Sequence, residues 1–163
     1  MLMKRDSPAY GLALAASMGK LYGLHMNDGY SQMDSGMIFG SVNIAHAAEF
    51  IYYLKKYNYQ GVVFFDTFPI RENAKLETQA NINSFEKISK IIDEIGMDRI
   101  AEVVSKRDGV EAQRLVLDML SRALHPKPNK KEKGEHTNEK EIFSSCPCSN
   151  NGNRFSWMWK FII

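Results

Sequence analysis

Cysteine is almost missing from this chain of 163 residues: Cys146 and Cys148 are the only two, with Pro147 between them. That spacing makes a poor metal pair and a strained disulfide, so the expectation is a reduced, cytoplasmic chain. Long apolar runs are missing too. None approaches the roughly 18 residues that a membrane-spanning helix needs, and no membrane partner is expected. The opening "MLMKRDSPAY" has no apolar stretch between its charges and a cleavage site, which argues against a secretory signal. Charge of one sign is scarce: a formal net charge of +2 gives no reason to expect nucleic acid. What is present is ordinary. A hydrophobic fraction of 44% and a charged fraction of 25% are those of a globular domain, and the length has room for one.

Up to Leu124 helical stripes alternate with short apolar runs. "PAYGLALAASM", Pro8 to Met18, reads as a helix with Gly19 as its left-handed terminator. "LYGLHMND" has a buried-strand pattern that ends in His25, Asn27 and Asp28, closed by Gly29. A loop rich in Gly, Ser, Asp and Tyr leads to Asn43, an expected N-cap. Ile44, Ala47, Ala48, Ile51 and Leu54 then recur at helical spacing. "VVFFD" is a continuous apolar run that suits a parallel strand covered on both faces. Leu76, Ala80, Ile88, Ile92 and Ile95 predict a longer helix stopped by Gly96, and Ile100, Ala101 and Val104 a short one. Asp108 with Glu111 predicts a capping box for a last helix, packed through Leu115, Met119, Leu120 and Ala123 and ended by Pro126.

Helix, strand, helix, strand, helix is a piece of an α/β architecture with a parallel sheet. Two strands cannot close a barrel and would leave open apolar edges, so the expectation is a fold whose earlier part is missing. Both runs end alike, in a side chain able to bind metal: His25 on the first, Asp66 on the second. Parallel neighbours lie about 4.8 Å apart, so two such ends can share an ion. Read singly, His25 is more often a structural histidine and Asp66 a cap.

The strings "GLHMNDGYSQMDSGMIFGSVN" and "YNYQGVVFFDTFPIREN" resemble the xylose isomerase-like barrel superfamily, closest to xylose- and rhamnose-type sugar isomerases, over about Pro8 to Leu124. The resemblance implies the last two strands of a (β/α)8 TIM barrel with their helices, plus C-terminal helices, making residues 1–124 one unit. It implies a divalent ion (Mn, Co, Zn or Mg) on His25 and Asp66, with Asp34 serving a second metal or the sugar. It marks Asp34 and Asn27 as catalytic candidates and Asp28 and Arg71 as sugar-binding ones. A homo-oligomer is implied for the complete enzyme. Two positions depart from the family: Gly36 stands where a second Asp is common, and Phe68 where xylose isomerases have Lys. The ligands expected from the fifth and sixth strands are outside this chain, so it supplies half a metal site and is expected to be inactive alone.

Plainer readings stand beside these. Asn-Asp-Gly at 27–29 makes a tight turn without any ligand. Arg71 and Glu72 suit an ion pair, His46 and Glu49 a solvated helix start, and Tyr30, Met33 and Phe39 either a sugar pocket or the core. A sugar 3-epimerase would carry Glu in place of Asp66. An endonuclease IV-like enzyme shares His-x-Asn-Asp but needs Asp-x-His in the next loop, where Ser35 and Gly36 follow Asp34. A non-catalytic fragment that associates through its helical end is the alternative of another class. Beyond the last helix, "HPKPNKKEKGEHTNEKE" is too polar to fold, so 125–163 reads as a disordered or atypical tail, despite the two Trp of its end.

Overall fold

A computed structural model describes residues 6–125, so the tail beyond His125, with both cysteines, lies outside the described residues. Five helices and two strands follow in order: α1 (Pro8–Ser17), β1 (Leu24–Met26), α2 (Ile44–Lys56), β2 (Val63–Phe65), α3 (Ala74–Ile95), α4 (Met97–Lys106) and α5 (Gly109–Leu124). The fold is a mix of helices with a small parallel sheet. Among the described residues no helix is long and apolar enough to cross a membrane.

Local chemistry sets most boundaries. Pro8 opens α1, and Gly19, at φ +66°, closes it in a Schellman turn: its N–H donates to the Ala16 carbonyl while the Lys20 N–H donates to that of Ala15. Asn73 and Asp108 cap α3 and α5, each accepting from two backbone N–H groups of the first turn. Glu111 does not complete the expected capping box. Its carboxylate turns outward to Arg114 and Arg99, because two guanidinium partners compete with one backbone N–H.

β1 and β2 pair in parallel, with Leu24 opposite Val63, His25 opposite Phe64 and Met26 opposite Phe65. Side chains alternate along each strand, so Leu24, Met26, Val63 and Phe65 share the face that packs into the core. That core is filled by Ile51, Leu54, Phe85, Ile88 and Ile92 from α2 and α3, and Met119 of α5 reaches it. The opposite face carries His25 and Phe64 and is exposed. The apolar run of β2 is therefore covered on one face, not two. On the exposed face the His25 and Phe64 rings lie against each other, with centroids 5.0 Å apart.

Tertiary packing also overrides the expected stripes. On α3 the buried line runs Glu77, Asn81, Phe85, Ile88, Ile92, while Leu76 is 69% exposed. The first turns of α3 face a loop backbone instead of an apolar layer, and polar side chains meet its demand. Asn81 accepts from the Phe39 N–H (2.8 Å) and donates to the Thr67 hydroxyl (3.3 Å), while Ser84 donates to the Phe39 carbonyl (2.6 Å). Glu77 Oε2, just N-terminal to this clamp, is buried without a hydrogen bond. On α4 the core contact is Val103 rather than Val104, and Ala123 of α5 is exposed because the partners of α5 end at Met119.

Candidate functional site

His25 ends up beside Asp66 because β1 and β2 are in register. Asp66 follows the last residue of β2, and its N–H donates to the Met26 carbonyl (3.0 Å), extending the ladder past both strand ends. The His25 Nδ1 lies 3.3 Å from Asp66 Oδ2. Their side chains are 70% and 42% exposed, so the contact faces water and contributes no more than about 1 kcal/mol to stability. An exposed pair that contributes so little to the fold is free for chemistry.

Asn27, the next residue outside β1, joins three segments. Its Nδ2 donates to Asp34 Oδ1 (2.8 Å) and to the Asp66 carbonyl (3.0 Å). Asp34 Oδ1 also accepts from the Gly36 N–H (3.3 Å). His25, Asn27, Asp28 and Asp34 all border one open cleft of about 170 Å³, with Met33 and Phe39 on its walls. Phe39 is buried and belongs to the core, whereas Tyr30 and Met33 project into solvent.

Asp28 has a different task. It is 5% exposed, and its two oxygens accept from the N–H groups of Gly29 (2.8 Å), Val42 (2.9 Å) and Asn43 (2.8 Å) and from the Asn43 amide (2.7 Å). Its backbone also exchanges both hydrogen bonds with Met37, so residues 28–37 form a closed loop. Burial alone would raise the Asp28 carboxyl, but these hydrogen bonds outweigh it and hold it below the ordinary 3.8. Its carboxylate thus organises the loop that carries Asp34. Asn43 follows from the same network: its side chain makes no cap for α2, because its amide is drawn to Asp28 and to the Gly29 carbonyl (2.8 Å).

The second loop meets the first at Gly36. There φ is +53°, and a Cβ would run into the Phe68 ring; the Phe68 N–H donates to the Gly36 carbonyl (2.9 Å). Gly36 and Phe68 are therefore in contact, and Gly36 is the residue that fits under the ring. No spacing in the sequence announces this pairing, since thirty-odd residues and a helix separate the two.

Arg71 stands apart from the cluster. Residues 68–73 run along the surface, and Arg71 borders no part of the cleft. Its guanidinium makes no close ion pair with Glu72 and acts on it only as a nearby charge. The Glu72 carboxylate accepts the Arg71 backbone N–H (3.1 Å), which, with further backbone donors, lowers its pKa. His46 and Glu49 lie at the start of α2, with Nδ1 and Oε2 3.9 Å apart.

As a metal site the cluster is partial. Imidazole and carboxylate are the right donors for a divalent transition ion. Yet among the described residues no three His, Cys, Asp or Glu side chains stand close enough to hold one, and Asp34 is tied to Asn27 and Gly36. His25 and Asp66 are two donors toward a site that needs more. No protein-family model matches the chain and no curated protein matches it, so the geometry alone speaks for the site.

Proposed function

We propose that this chain carries the last two strands of a metal-dependent sugar isomerase barrel of the xylose isomerase-like kind and contributes His25 and Asp66 to its metal site. The observation that carries this reading is the meeting of two metal-capable side chains at the C-terminal ends of adjacent parallel strands, 3.3 Å apart and open to solvent. Support also comes from the exposed sheet face of His25 and Phe64, which suits the inside of a barrel. When bound, Mn²⁺, Co²⁺, Zn²⁺ or Mg²⁺ would stabilise the oxygen charge that develops in aldose–ketose interconversion. The chain's own residues do the positioning: Asn27 holds Asp34 at the cleft, where its carboxylate is available to a sugar hydroxyl, and Asp28 fixes the loop beneath. In this reading the complete enzyme is a cytoplasmic homo-oligomer, and the present chain has no turnover of its own.

Titration with Mn²⁺, followed by proton NMR of the imidazoles, tests the half-site. Broadening should reach His25 before His46, His125 and His136, and Asp66→Asn should remove that preference. Equal broadening of the four, or a preference that survives Asp66→Asn, would refute the shared site. Aldose–ketose turnover by the chain alone, lost in His25→Ala, would refute the inactive-fragment half of the reading.

A further inference from the structure

Residues of α2, α3, α4 and α5 line an apolar groove with room for about 310 Å³. Its walls are Tyr52 and Tyr53 of α2 and Leu115 and Val116 of α5, and its floor includes Ile95. Val104, on the rim, is 47% exposed although it lies beside that floor. An apolar groove of this kind is ready for an aromatic or aliphatic segment.

We propose that the groove is the docking site of residues 155–163 of the same chain. Three observations favour this occupant. The segment, "FSWMWKFII", is the most apolar part of the C-terminal stretch and has no charged residue except Lys160. It is tethered to α5, which forms one wall, through residues 126–154. At roughly 3.3 Å per extended residue that stretch can reach any point of the groove, and a tether of this kind makes the local concentration about millimolar. Charge agrees as well. Arg154 and Lys160 flank the two Trp, and Glu49 on the α2 rim carries a carboxylate that is about half exposed.

Trp157 and Trp159 are the only tryptophans in the protein, so the fluorescence of the intact chain reports on this segment alone. Docking predicts blue-shifted emission and acrylamide quenching several-fold weaker than for the same chain in urea. Val104→Glu and Ala112→Glu, both at exposed groove positions, should each restore quenching to the urea level while helical circular dichroism stays unchanged; the second variant covers the case that the first fails to fold. Quenching at the free-indole level in the unsubstituted chain would overturn the proposal. So would protection that both groove variants leave intact. Protection that rises with protein concentration alongside dimers in sedimentation would assign the groove to a second copy and overturn docking within one chain.

Discussion

Replacing Asp28 by Asn keeps the shape of the side chain and removes half of its accepting capacity. Oδ2 of Asp28 accepts two backbone N–H groups, and Oδ1 accepts a third together with the Asn43 amide. An Asn has one oxygen and one NH₂, so whichever way it turns, two donors meet a donor. Each donor left without an acceptor costs about 1–3 kcal/mol. Val42 and Asn43 are only half-buried, and water reaches them in part, so about 2–4 kcal/mol in total is expected. The sign of the pH dependence follows from the lowered Asp28 pKa. A carboxyl with a folded value below its unfolded one stabilises fully above the ordinary 3.8, and the gain is lost as pH falls through the folded value. Urea denaturation of both proteins should therefore show a gap that is constant from about pH 7 to 5 and narrows below about pH 4, where protonated Asp28 resembles Asn. Other carboxylates titrate alike in both proteins and cancel. Amide exchange at Val42 and Asn43 should accelerate roughly thirty-fold or more if the loop opens locally. A gap below about 0.5 kcal/mol at pH 7, or one that does not narrow in acid, would refute this account of the loop.

Gly36→Ala meets both a left-handed backbone and the Phe68 ring, and a loss of about 1–3 kcal/mol is expected in thermal unfolding. Phe68→Ala in the same chain should recover the steric part only, so the two changes are non-additive; strict additivity would show that the contact is not what constrains Gly36. Glu77→Met, which keeps the length of the side chain, should raise stability by about 1 kcal/mol, since it removes a buried oxygen that has no hydrogen bond; a loss of stability on denaturant titration would mean that the carboxylate has a partner.

Elements that depend on neighbours in sequence were legible. Gly19 ends α1, Asp108 caps α5, and the buried face of α2 follows the spacing of Ala47, Ala48, Ile51 and Leu54. Both strands form where the apolar runs fall, and they are parallel. What stayed illegible depends on partners far along the chain. Nothing near Asn43 shows that Asp28 will take its amide, and nothing near Leu76 shows that α3 will turn Asn81 toward the backbone of Phe39. The site divides in the same way. The strand ends carrying His25 and Asp66 could be read from each run alone, whereas the tie from Asn27 to Asp34 depends on a loop closed by Asp28 and Met37.

The register of the two strands has a consequence for how freely this surface can change. Leu24, Met26, Val63 and Phe65 hold the pairing from the core side, and a slip by one residue would turn all four outward. The side chains of His25 and Asp66 take no part in that restraint; what these residues give the ladder is backbone alone. Residues at those two places can be exchanged over many chemistries, cationic, neutral or acidic, while the sheet keeps its alignment. The restraint on register and the exposed side chains thus stand on opposite faces of one short ladder, and selection can alter one while leaving the other as it was.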